Sequence, residues 1–191
     1  MSERIRQLCP NAEYHVSSSI DHGDMIFEEP EAKLLFVSVL KRAKKKYMFS
    51  VKNFCLMGNH FHMIIKPLMK KSSKKDRKKK KLCESGIFDS KNAEQVPPVV
   101  LPEQEEYLPA IIQWIKSVFA KAWNKNHDTH GHVWDGPYFS RIILSRIDFL
   151  NVFKYIDDNP VKAGLAATPE QYKYGRFWKL LIGLLETNIP P

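Results

Sequence analysis

Three short stretches of the sequence hold side chains that could do chemistry together. The first is His60-Phe61-His62, in the text NHFHMIIK. Residues two apart on a β-strand share a face. His60 and His62 would then project together, and Phe61 would turn the other way. Two imidazoles so placed can chelate one divalent cation. The plainer alternative is a pair of ordinary histidines on a solvated strand face. The continuation Met63-Ile64-Ile65 is apolar, and polar rings on a buried strand need a reason to be there. The second stretch is Tyr155-Ile156-Asp157-Asp158-Asn159. Tyr155 and Asn159 are four residues apart, so they share one helix face. At about 100° per residue, Tyr155 lies roughly 160° from Phe153 and off the apolar stripe. Its phenol is presented rather than packed. The plainer alternatives are a packing tyrosine with a wet hydroxyl and an Asn159-Pro160 pair that opens the next turn. The third stretch is His127, His130 and His132, in NHDTHGHVW. The spacing superficially suits zinc. It lies in a glycine-containing loop without cysteine partners, so a polar loop is the simpler reading.

These groups need elements to position them. Residues 14–20, YHVSSSI, read as a strand closed by the turn cluster Asp21-His22-Gly23-Asp24. From Glu28 to about Tyr47, Leu35, Phe36, Val39, Leu40 and Ala43 fall at helical spacing. Acids open that helix and lysines close it, as its dipole prefers. Residues 48–57 and 60–66 read as two strands around the tight turn Gly58-Asn59, a hairpin. A second helix runs from about Tyr107 to Asn124 on Leu108, Ile111, Ile112, Ile115, Phe119, Ala122 and Trp123. Residues 125–137 form a loop and 138–144 a strand. Arg146 to Asp158 is a helix with Phe149, Leu150, Phe153 and Ile156 on its inner face. Asn159-Pro160 ends it, because the residue before proline resists helical dihedrals. The tail 169–186 again has helical apolar spacing. The order β-α-β-β-insert-α-β-α-α predicts an α+β sandwich, an antiparallel sheet with packed helices.

The chain has 191 residues, which suits one domain, 1–191, with an insertion at about 68–104. That insertion carries three prolines and no periodicity, which reads as an inserted or mobile loop. Net charge is +9, and its distribution matters more than its size. Residues 66–81, KPLMKKSSKKDRKKKK, hold ten Lys/Arg and one Asp, and the rest of the chain is balanced. Such a run fits either a polyanion partner or a solvated loop. Three cysteines without CxxC spacing exclude a disulfide scaffold and suit a reducing cytoplasm. The opening residues lack the apolar core of a secretory signal. No apolar run approaches the ~18–20 residues of a membrane span, so no membrane partner is expected.

GNHFHMII, IIQWIKSVFAKAWN, VWDGPYFSRII and FKYIDDNPVKAGL occur in that order. In these motifs the chain resembles the single-tyrosine HUH transposases, in particular the REP-associated tyrosine transposase branch. The resemblance covers residues 14–67 and 107–172. It implies a ferredoxin-like or RRM-like antiparallel sheet with helices packed on it. It implies Mg²⁺ or Mn²⁺ held by His60, His62 and Asn159, with Tyr155 as the nucleophile. The implied reaction cleaves single-stranded DNA, links it as a 5′-phosphotyrosine and rejoins it. The implied partner is single-stranded DNA that carries hairpins, in the bacterial cytoplasm and on the nucleoid. The family includes dimers with shared active sites as well as monomers, so a homodimer is an allowed assembly. Binding single strands wants basic residues and stacking rings. Trp134, Tyr138, Arg141, Arg146, Lys154 and Lys162 flank the site in sequence and are candidates. Surface charge and ordinary packing are the alternative for each. The long insertion departs from the family pattern. So does YKYGRFW, where the family often has Trp-Ser-Ser. Two rival functions remain: a domesticated relative that binds hairpin DNA or RNA without cutting, and a zinc hydrolase built on His60, His62 and a histidine from 127–132.

Overall fold

A computed structural model describes residues 12–68 and 107–175. The lysine run beyond Leu68, the rest of the insertion and the part of the expected helical tail beyond Gly175 lie outside the described residues.

Among the described residues four strands and three α-helices follow in the order β1 (Glu13–Ser19), α1 (Pro30–Lys46), β2 (Phe49–Leu56), β3 (His60–Pro67), α2 (Tyr107–His127), β4 (Phe139–Ile143) and α3 (Arg146–Lys162). The sheet order is β2-β3-β1-β4, and every pairing is antiparallel. This is the ferredoxin-like arrangement, a β-α-β-β-α-β unit with β1 and β3 at its centre. α3 is an addition to it.

The two faces of the sheet carry different cargo. On one face Tyr14, Val16, Phe54, Phe61, Met63 and Ile65 meet buried residues of α1 and α2 in the main core. Phe36 of α1 lies at its centre, with ring centroids 5.0 Å from Phe61 and 5.7 Å from Phe119. On the other face Cys55, Ile64, Val152, Phe153 and Ile156 form a smaller cluster beneath α3. The strand alternation makes this division, since each residue faces opposite to its neighbour. β2 departs from it once. Val51 pairs with Ile65 but Asn53 pairs with Ile64, so Lys52 is the extra residue of a bulge. A bulge re-aims the side chains beyond it. Here it leaves Val51 and Phe54 on the main-core face and turns Asn53 toward α3.

The buried Asn53 amide docks α3. Its Nδ2 donates to the Phe153 carbonyl at 3.0 Å and to Asp157 Oδ1 at 2.9 Å. Its Oδ1 accepts from the Phe54 N–H at 2.7 Å. α3 begins where Ser145 Oγ accepts from the Asp148 N–H at 3.1 Å while Asp148 accepts from the Leu144 N–H, a variant of the capping box.

Two expectations for this region are corrected. Leu150 is not on the inner face but 53% exposed; Val152 takes that place. Nor does the helix stop at Asn159. It continues through a buried Pro160 to Lys162. Proline cannot donate to the Ile156 carbonyl, but one further turn is held by a Schellman ending. The Leu165 N–H donates to the Pro160 carbonyl at 2.8 Å and the Gly164 N–H to that of Val161 at 3.0 Å. Gly164 takes φ +69° to close it. α1 also starts two residues later than expected, where Pro30 occupies its first turn. α2 runs three residues further, to His127.

Nothing lies within 4 Å of a Cβ placed on Gly164. Gly164→Ala therefore introduces only the left-handed backbone strain. We expect it to lower the unfolding free energy by about 1 kcal/mol, read as a lower urea midpoint with an unchanged slope.

Candidate active site

His60 and His62 stand on the α3 side of β3, and Phe61 is fully buried on the other side against Phe36 and Trp134. The two imidazole centroids are 4.9 Å apart. α3 crosses the same face and brings Tyr155 to them. Its ring centroid is 5.5 Å from that of His62, edge-on, and Tyr155 is 42% exposed. The phenol is thus open to solvent on one side and beside the histidines on the other. Asn159 follows one turn later on the same helix. Because the helix passes through Pro160, the four-residue spacing does place Tyr155 and Asn159 on one face. Asn159 Nδ2 is buried and has no hydrogen-bond partner among the described residues.

A third imidazole completes the group, and it carried no strand-spacing signal. His15 of β1 is buried, and its Nε2 lies 3.1 Å from His62 Nδ1. Its ring stands edge-on to Tyr155 at 5.9 Å and to Phe139 at 6.0 Å. In sequence it is one histidine in YHVSSSI; only the pairing of β1 with β3 brings it to His62. Asn53 was equally invisible, since the bulge that aims it leaves no mark in the residue types.

Burial sets the charge state. It depresses His62 to about 3, with His15 and His60 adding to the effect. Burial depresses His15 to about 4, helped by the positive charge of Arg141. His60 is lowered by the same cause. All three rings are neutral near pH 7, so each has one nitrogen lone pair to offer. For His60 the geometry says which. Asn59 Nδ2 points to the Gly23 carbonyl, so Asn59 Oδ1 is the atom 2.7 Å from His60 Nδ1. His60 Nδ1–H donates to it, and the lone pair is on Nε2.

This donor set fits the cation that the sequence resemblance implies. It comprises neutral imidazoles with an engaged Nδ1, and an amide whose Oδ1, not its unpartnered Nδ2, would face a cation. Among the described residues no group of three or more His, Cys, Asp or Glu side chains is placed to hold a metal ion. The third protein donor that the resemblance implies is the Asn159 amide. The loop histidines do not supply one. His127 belongs to the end of α2, stacked on Trp123 at 3.7 Å, with its Nε2 3.5 Å from a Glu29 carboxylate oxygen. His130 and His132 are exposed. The zinc arrangement is not formed.

The six flanking candidates separate. Trp134 and Tyr138 are corrections, being 8% and 7% exposed and packed in the main core. Trp134 packs tilted or edge-on among Phe27, Phe61 and Phe119 and donates from Nε1 to the Lys116 carbonyl at 2.9 Å. Their apolar bodies went to the core because an isolated Ile20–Trp134 bridge folds the loop onto it. Arg141 is exposed, but its guanidinium makes two 2.9 Å bonds to the Asp148 carboxylate. Arg146, Lys154 and Lys162 are exposed on α3. Lys162 Nζ sits 5.6 Å from the Tyr155 ring centroid.

The buried imidazoles make acid stability a readout of this face. Above pH 6.5 they are neutral in folded and unfolded chains alike. Below it the unfolded chain takes up protons that the folded chain resists, so stability falls as pH drops from about 6.5 toward 4. Each unit of depression is about 1.4 kcal/mol. Urea melts between pH 7.5 and 4.5 should show this fall, and His15→Phe should flatten it by up to one proton.

No family model matches the sequence, and no curated protein matches it. Solved structures do. A REP-associated tyrosine transposase bound to a REP hairpin superposes with a TM-score of 0.67 at 15% identity, covering 100% of this chain and 92% of that one. A candidate transposase from Deinococcus radiodurans R1 has a TM-score of 0.43 at 12% identity, over 82% of this chain and 97% of that one. No helix among the described residues is long and apolar enough to cross a membrane. The antiparallel sheet, its helices and their order together give this chain the α+β fold of a REP-associated tyrosine transposase.

Proposed function

We propose that this chain is a single-tyrosine HUH transposase that cuts and rejoins single-stranded DNA through Tyr155. One observation carries the reading. A solvent-open phenol stands 5.5 Å, ring centre to ring centre, from the second of two histidines that share a strand face. A packing tyrosine has no need of that exposure, and a pair of imidazoles, one buried and one half-buried, has no structural need of that neighbour.

His60 Nε2, His62 Nε2 and the Asn159 amide are the groups that would hold Mg²⁺ or Mn²⁺. A cation bound there supplies positive charge against the charge that grows on the scissile phosphate. Nitrogen donors favour Mn²⁺ over Mg²⁺. The chain's own part is positioning. Tyr155 Oη attacks the phosphorus. An Oη–P bond forms, the P–O3′ bond breaks, the phenol loses its proton and the departing 3′ oxygen gains one. A phenol has a pKa near 10, so its placement must make up for a weak nucleophile. α3 provides that placement, pinned by Asn53 at Phe153 and Asp157 on either side of Tyr155. Reversal of the same step by another 3′-OH rejoins the strand. Arg146, Lys154 and Lys162 are the free cations on α3 suited to the DNA backbone. The hairpin on the solved neighbour makes hairpin-bearing single strands the first substrates to try.

The test is a detergent-stable adduct between the protein and a labelled hairpin oligonucleotide in Mn²⁺. The parent should form it. Tyr155→Phe should abolish it while hairpin binding stays within about twofold, since one exposed hydroxyl is lost. Tyr138→Phe should still form it, because Tyr138 is buried in the main core. An adduct from Tyr155→Phe at the parent's level overturns the assignment. Hairpin binding without any adduct in the parent supports the non-cleaving relative instead.

A further inference from the structure

We propose that His15 is a positioning residue whose Nε2 accepts a hydrogen bond from His62 Nδ1–H, fixing the tautomer in which His62 Nε2 is free to bind a cation. This rests on the function proposed above, and it names a residue that the HUH pattern does not contain.

The argument starts from the 3.1 Å contact between His15 Nε2 and His62 Nδ1. The rings are tilted by 32°, with centroids 5.2 Å apart. Both residues are only 8% exposed. A neutral imidazole has one donor nitrogen and one acceptor nitrogen. The shared contact therefore admits two arrangements. In the first, His62 Nδ1–H donates, His15 carries its proton on Nδ1, and the His62 lone pair is on Nε2. In the second, His15 Nε2–H donates, and His62 carries its proton on Nε2, where it cannot be a ligand. The proton on one shared edge thus decides the chemistry at the far edge of His62.

Its neighbour shows the same design with the ambiguity removed. His60 Nδ1–H is held by Asn59 Oδ1, an atom that can only accept. With His15 as acceptor, both histidines would present Nε2. Ligand imidazoles are commonly oriented in this way by an acceptor at the other nitrogen. His15 is well held for the task. Phe139 and Tyr155 pack edge-on against its ring, and its strand is hydrogen-bonded on both sides. Arg141, its partner in register on β4, is tied to Asp148.

The test uses the full chain and Mn²⁺ alone, with binding read by calorimetry at pH 7.5. The parent should bind, and His62→Ala should not. His15→Phe keeps the ring shape without the acceptor and should weaken Mn²⁺ about 10- to 100-fold. His15→Gln restores an accepting oxygen and should recover binding to within a few-fold. Nitrogen chemical shifts of the metal-free parent give a second readout that needs no folded variant: His62 should carry its proton on Nδ1. Binding by His15→Phe within twofold of the parent overturns the positioning role while leaving the metal site standing. So does a parent His62 protonated on Nε2. Absent Mn²⁺ binding in the parent, or unchanged binding in His62→Ala, overturns the metal site itself and this role with it.

Discussion

The Asn53 side chain joins the two halves of the candidate site. The histidines belong to the sheet and the tyrosine to a helix outside the basic β-α-β-β-α-β unit. The dock between α3 and the sheet is what brings them together. The apolar part of that dock is small, with Val152, Phe153 and Ile156 against Cys55 and Ile64. Such contacts favour closeness but barely specify rotation or sliding. The Asn53 amide supplies direction, with one donor to the Phe153 carbonyl and one to Asp157. Every polar atom of that amide is satisfied while fully buried. Unmaking such an arrangement costs about 1–3 kcal/mol per stranded group, so a shifted helix is disfavoured. Tyr155 is placed beside His62 for this reason.

The same face carries a cost. Three imidazoles on a largely desolvated surface contribute little to folding and charge reluctantly. The opposite face, with Phe36 packed against both Phe61 and Phe119, supplies the apolar burial that makes this tolerable. Separating the two jobs by sheet face lets the chemistry be polar without a hole in the main core. The cations on α3 complete the division, since Arg146, Lys154 and Lys162 stay in water and Arg141 is spent on the cap residue Asp148.

What was legible in the sequence was periodic. The strand period put His60 and His62 on one side and Phe61 on the other. The helix period put Tyr155 off the stripe and in line with Asn159. Element order gave the antiparallel α+β sheet. What failed was where tertiary packing outvoted local preference. Pro160 reads as a helix stop, yet a Schellman ending and burial of its ring carry the helix past it. Trp134 and Tyr138 look like stacking rings beside a site, but proximity in sequence is not proximity in space; they serve the far core. His15 and Asn53 were missed because their meaning depends on strand pairing and on one bulge, and neither is periodic.

The alternation along β3 also governs which genetic changes the chain tolerates. His60, Phe61 and His62 differ in role only by parity. Conservative substitution at one position leaves the others in place. A single-residue insertion or deletion inside β3 does not, because it exchanges the faces of every residue beyond it. An imidazole would then enter the aromatic core and an aromatic ring the histidine face. Length variation among descendants of this sequence should therefore collect between β3 and α2 and be absent from residues 60–65. A lineage that gains tens of residues in that connection can keep the candidate site, whereas one that gains a single codon in the strand loses fold and site together.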